Sequence, residues 1–146
     1  MAIKIFIDQG HNPSGPNTGA EGFGLKEQDI TYQVGKELAE LLRADDRFEV
    51  RLSRNTPEER LGTSNTTSLA ARVRAANAWP ADYFISIHAN AFGSDWNDAN
   101  GVESWIYEKA DAKTLDFGGK VHEALVKACG RKNRGLKKSA DLYVLR

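Results

Sequence analysis

The sequence predicts an α/β fold, a single three-layer domain in which helices flank a mixed, mostly parallel sheet. Three observations carry this. Short apolar runs of strand length alternate along the chain with longer runs of helical period. The 146 residues, 40% of them hydrophobic, can close one compact core and are too few for two. No internal repeat and no linker-like stretch interrupts the pattern.

Residues 3–8 (IKIFID) read as the first strand, with Ile3, Ile5 and Ile7 on one face and Phe6 making the other partly apolar, which suits burial on both sides. Residues 10–24 follow as a loop, because seven Gly or Pro in fifteen positions exclude a helix or an interior strand. A loop this long inside a small domain points to function. Between residues 28 and 46, Ile30, Val34, Leu38, Leu41 and Leu42 recur at helical spacing among charged residues. Residues 48–52 alternate apolar and charged, as a strand with one wet face does. A helix is expected over 69–79, with Thr66, Thr67 or Ser68 as its N-cap and Pro80 after its end. Residues 82–88 (DYFISIH) read as a strand buried on both faces, and residues 102–107 (VESWIY) as another. A helix over 111–129 presents Phe117, Val121, Leu125 and Ala128, and residues 142–145 read as a final strand.

Lysine and arginine balance aspartate and glutamate at 20 each, which excludes a wholly basic nucleic-acid binder and an acidic disordered chain. The balance is uneven, since residues 127–146 hold seven basic residues against Asp141 alone. Aromatics do not interleave with the cluster Lys127, Arg131, Lys132, Arg134, Lys137 and Lys138. It therefore reads as a solvated helix end, and not as an RNA platform. The single cysteine, Cys129, forbids an internal disulfide. No apolar run approaches the roughly 18 residues that span a bilayer. The apolar start is broken by Lys4 and closed by Asp8, unlike the unbroken run of about 7–15 residues in a secretory leader. A leader already removed would leave no trace.

His11 and His88 each stand just past a predicted strand, where the loops of an open α/β sheet gather ligands. Glu27, where the glycine-rich loop turns into the first helix, offers a third donor. Two imidazoles and one carboxylate leave a tetrahedral zinc one open position, the pattern of a catalytic ion, and such an ion lowers the pKa of a bound water to about 7. Asp8 and Asn90 flank the histidines and are candidates to orient their second nitrogens or to meet substrate. Plainer readings compete at this point. A histidine after a strand is ordinarily a loop residue, and a glutamate at a helix start complements the helix dipole. The spacings, sixteen residues from His11 to Glu27 and sixty-one more to His88, match no short local zinc motif. His122, mid-helix beside Leu125, reads as a non-ligand.

The blocks IFIDQGHNPSGPNTGAEGFGLKEQDI, LSR at 52–54, LAARVRAANA at 69–78, DYFISIHANAF at 82–92 and GVESWIY at 101–107 cover essentially the whole chain. Together they resemble the zinc-dependent N-acetylmuramoyl-L-alanine amidases of the third amidase family, cell-wall hydrolases found as autolysins, sporulation lysins and phage endolysins. The resemblance implies Zn2+ held by His11, Glu27 and His88 beyond the strand ends. It also implies cleavage of the amide between the lactyl group of N-acetylmuramic acid and L-alanine of the peptidoglycan stem. It places the activity outside the cell, reached through a leader not present here or by phage-lysin release.

Two departures follow. Gln9 stands where the family commonly has proline before the Gly-His pair, which is expected to alter the turn and leave the ligand. The family's catalytic glutamate lies on a strand after a segment like DLYVLR, and this chain ends with that segment at Arg146. The expectation is thus an amidase catalytic domain spanning 1–146, cut before its last strand and helix, with the general base beyond Arg146. Glu103 is a candidate substitute, but a glutamate on a half-exposed strand is ordinarily solvated.

Other signals fail. GAEGFG at 19–24 has the wrong order for a dinucleotide site, GRKNRGL at 130–136 lacks the P-loop lysine, and DWNDANG at 95–101 lacks the EF-hand order. Trp96 in that last loop is a candidate sugar-stacking platform. The alternatives are a non-catalytic module that holds muropeptide, and a zinc carboxypeptidase, whose H-x-x-E spacing is absent.

Overall fold

A computed structural model describes residues 2–93, 95 and 97–146. The fold is α/β, with three helices and mostly parallel sheets. It is carried by two compact units, Met1–Ala91 and Phe92–Arg146. No helix among the described residues is long and apolar enough to cross a membrane.

The first unit is built on β1 (Ile3–Gln9), the central strand of a parallel sheet of order β4-β1-β5. It pairs with β4 (Phe48–Leu52) from Ile3↔Phe48 to Ile7↔Leu52, and with β5 (Tyr83–Ile87) from Ile5↔Tyr83 to Gln9↔Ile87. Successive side chains point to opposite faces. Ile5 and Ile7 therefore meet Ala39 of α1 (Glu27–Arg43), while Phe6 meets Ala76 and Trp79 at the end of α2 (Asn65–Ala78). Helices on both faces make this unit three-layered. The same alternation continues past the core, so Asp8 faces the α2 side and Gln9 the α1 side.

Between β1 and α1 the loop contains one short antiparallel pair, β2 (Glu21–Gly22) with β3 (Leu25–Lys26). The α2 helix starts earlier than its sequence suggests. Its N-cap is Ser64, whose hydroxyl accepts from the Thr67 amide while Thr67 returns a bond to the Ser64 amide. Thr66, Thr67 and Ser68 thus lie inside the helix, because the reciprocal box satisfies two otherwise orphaned amides. The β5 strand is half-buried throughout and not fully buried.

In the second unit, β6 (Val102–Tyr107) and β7 (Asn133–Ser139) run parallel, joined through α3 (Ala112–Cys129). Asp111 caps α3 by accepting from the Thr114 amide, and Gly130 ends it in the left-handed conformation at φ 59°. Two sequence expectations are corrected here. Much of the basic cluster, expected as a solvated helix end, lies on β7, and residues 142–145 form a 3-10 turn at Tyr143–Leu145 instead of a strand. With Leu136 its only large apolar residue, β7 lacks the alternation that announces a strand, and its pairing is set by β6.

Candidate metal centre

His11, Glu27 and His88 meet beyond the carboxyl ends of β1 and β5. His88 Nδ1 lies 3.1 Å from His11 Nε2 and 3.3 Å from Glu27 Oε1, and His11 Nε2 lies 3.3 Å from Glu27 Oε2. Bonds of about 2.0–2.1 Å to one tetrahedral ion would separate their donor atoms by roughly 3.3 Å, so this spacing fits a zinc-sized cation.

Each donor has an identifiable support. His11 takes a left-handed backbone, φ 72°, and its carbonyl accepts from Arg72 Nη2 at 2.7 Å. Its ring packs where a Cβ on Gly19 would lie 2.9 Å away. The His88 ring lies against Gly10, where a Cβ would come within 2.5 Å of both the ring and the Ile87 carbonyl. Gly10 is therefore needed for the close approach of the two strand ends. Thr31 on α1 donates to the Gly10 carbonyl at 2.7 Å and ties the helix to this turn.

Glu27 opens α1 without a side-chain cap before it. Its carboxylate accepts from the Ala20 amide at 3.1 Å on one oxygen, and from the Ala89 and Asn90 amides at 2.8 and 3.2 Å on the other. Burial pushes its pKa up, but these amides together with His11 outweigh burial and hold the carboxyl below its ordinary range. Burial, then the neighbouring His11, holds His88 below the ordinary histidine value, only partly offset by Glu27. An anionic carboxylate and a neutral imidazole are the forms that bind metal.

The Asp8 carboxylate is engaged elsewhere than at the imidazole nitrogens. The Asp8 carboxylate accepts from Arg72 at 2.6 Å and from Ser86 at 2.7 Å, so it joins β1, α2 and β5 beneath the histidines. Asn90, at φ 46°, contributes its main-chain amide to Glu27. Glu103, on β6 of the second unit, is bound by Lys137, Arg134 and Trp105. His122 is buried and bonded to Ser104 and Asn133. Trp96 lies outside the described residues.

Sequence reasoning missed Arg72 and Arg54, both fully buried. Arg72 was findable, since Ser68, Arg72 and Ala76 share one four-residue spacing on the buried side of α2. A cation on that stripe requires a buried partner.

The profile of the family described as N-acetylmuramoyl-L-alanine amidase matches residues 5–146. The chain is 39% identical over 145 residues to N-acetylmuramoyl-L-alanine amidase CwlM of Bacillus licheniformis, covering 99% of this chain and 51% of that protein. It is 37% identical over 145 residues to the sporulation-specific N-acetylmuramoyl-L-alanine amidase of Bacillus subtilis (strain 168), with the same coverage. The crystal structure of N-acetylmuramoyl-L-alanine amidase from Clostridium difficile 630 superimposes with a TM-score of 0.81 at 31% identity, covering 99% of this chain and 73% of that one. The chain spans about half the length of the curated relatives it matches. The matched profile, the identities and the shared fold agree, and this chain belongs to the N-acetylmuramoyl-L-alanine amidase family.

Proposed function

We propose that this chain carries the zinc centre of a peptidoglycan amidase, with His11, Glu27 and His88 as the protein ligands. The observation that supports this most directly is the convergence of the three donor atoms at 3.1–3.3 Å from elements distant in sequence. In this reading the substrate is the amide between N-acetylmuramic acid and L-alanine, and the site of action is the cell wall outside the membrane.

Zinc bound there supplies a Lewis acid for the scissile carbonyl and a water acidified toward neutral pH. The chain's own residues supply the rest. Three main-chain amides hold Glu27 anionic and aimed at the imidazoles, which spares reorganisation when the ion binds. Burial and the neighbouring His11 lower the His88 pKa and so favour the neutral imidazole that a metal requires.

Zinc competition against a chromophoric chelator tests the ligand set. His11→Ala, Glu27→Gln and His88→Ala should each abolish stoichiometric binding, and three variants that bind like the parent would overturn it. Products from purified peptidoglycan test the reaction: a form extended beyond Arg146 should release new L-alanine amino termini. Release of single C-terminal residues would mark a carboxypeptidase. Binding of muropeptide without release would mark a non-catalytic module.

A further inference from the structure

Gln9 ends β1 on the side facing α1, with no solvent exposure. Its carboxamide pairs with main chain: Nε2 donates to the Arg54 carbonyl at 3.1 Å, and Oε1 accepts from the Arg54 amide at 3.0 Å. Ser53 closes the arrangement, donating to Oε1 at 3.0 Å and accepting from the Gln9 amide at 3.1 Å. The β1–β4 register ends at Ile7↔Leu52, so the Gln9 side chain carries the pairing on where the main chains have parted. The helix accommodates this stem closely, because a Cβ on Gly35 would lie 2.5 Å from Gln9 Cγ.

Pinned by its main chain, Arg54 turns its side chain inward and is fully buried. Its Nη2 donates to the Gln28 carbonyl at 2.7 Å, and its guanidinium lies 5.0 Å from the centre of the Tyr32 ring. Among the described residues Arg54 makes no ion pair with a carboxylate. A buried cation held by carbonyls and a ring is a costly way to gain stability. Its contacts are nevertheless specific. Gln28 follows Glu27 in the first turn of α1, and its side chain braces the glycine-rich loop by accepting from Gly19 and donating to Glu21.

We infer that Gln9 and Arg54 are positioning residues for Glu27, locking the first turn of α1 to the ends of β1 and β4 so that the carboxylate stays opposite the two imidazoles. This rests on the zinc reading above. An outer partner that fixes a ligand's orientation typically changes metal affinity by about 10–100-fold when removed.

The test compares the parent chain with Arg54→Lys, Arg54→Met and Gln9→Met, using Ile5→Val as a core variant remote from the site. Zinc affinity should fall at least about tenfold in the Arg54 and Gln9 variants and stay at the parent value in Ile5→Val. The cobalt-substituted protein should show a displaced d–d spectrum in the same variants. Without metal, amides 27–31 should exchange hydrogen faster in the Arg54 variants than in Ile5→Val. Should Arg54→Met fail to fold, Arg54→Lys, which keeps the charge but not the reach to Gln28, carries the comparison. Parent-like zinc affinity and parent-like exchange in Arg54→Lys would overturn the inference. A parent that binds no zinc, with exchange at 27–31 still faster in the Arg54 variants, would refute the metal reading and leave the positioning role standing.

Discussion

The Asp8 carboxylate and the Arg72 guanidinium meet at 2.6 Å with each side chain 1% exposed. Arg72 also donates to the Gln9 carbonyl at 2.6 Å and the His11 carbonyl at 2.7 Å, so one side chain from α2 ties down the end of β1. Removing either partner strands a buried charge. Asp8→Asn and Arg72→Met should each destabilise the fold by about 3–5 kcal/mol in urea titrations. The double variant should cost less than the sum of the two, because it removes both charges together. Full additivity would show that the pair is not coupled.

Two adjacent glycines in α3 are expected to respond with opposite signs. A Cβ on Gly119 meets nothing within 4 Å, so Gly119→Ala should stabilise by about 0.5–1 kcal/mol through helix propensity alone. A Cβ on Gly118 would lie 2.9 Å from Cγ2 of the buried Ile106, so Gly118→Ala should cost about 1–3 kcal/mol. Thermal melts of the two variants check the contrast, and equal shifts would refute it.

His122 joins α3 to both strands of its sheet. Asn133 Oδ1 already accepts from the Gly135 amide, so it is the acceptor for His122 Nε2 at 2.8 Å, leaving Nδ1 to accept from the Ser104 hydroxyl at 3.0 Å. His122→Leu keeps similar bulk but removes both bonds and leaves the Ser104 hydroxyl without its acceptor, and should cost about 1–3 kcal/mol in chemical denaturation. Zinc binding by the first unit should be unchanged. A neutral effect on stability would show that water replaces both bonds.

Glu103 is expected to titrate below the ordinary glutamate value of 4.5. The Lys137 ammonium at 2.6 Å is the main cause, followed by the Trp105 indole N–H at 3.2 Å, with slight burial opposing them. A depressed folded pKa means that the stabilisation is fully present above 4.5 and disappears as pH falls through the folded value. The Trp105 indole resonance should report this with a midpoint under 4.5, and Lys137→Met should move that midpoint upward. Added salt should shrink the difference, since the pair is near solvent. A parent midpoint at or above 4.5 would refute the assignment.

Much of the architecture was legible because it is written in local periods. Ile3, Ile5 and Ile7 alternate, Ile30, Val34, Leu38, Leu41 and Leu42 recur as a helix requires, and Phe48–Leu52 alternates cleanly. The strand β7 was not legible, since Lys137 and Lys138 carry no periodic signal and only pairing with β6 defines them as strand. The Ser64 cap was overlooked because the threonines that follow it are equally suited by type.

His11, Glu27 and His88 were identifiable as candidates from residue type, position after predicted strands and the resemblance. Their convergence, the amides that hold Glu27, and the inward courses of Arg54 and Arg72 were decided by the tertiary structure. The physical reason is range. Apolar periodicity acts over a few residues, whereas Arg72 reaches Asp8 across 64 positions and Gln9 reaches Arg54 across 45. Bonds over such distances exist only once the parallel strands have brought their ends together, and no local pattern specifies which polar group will be waiting there.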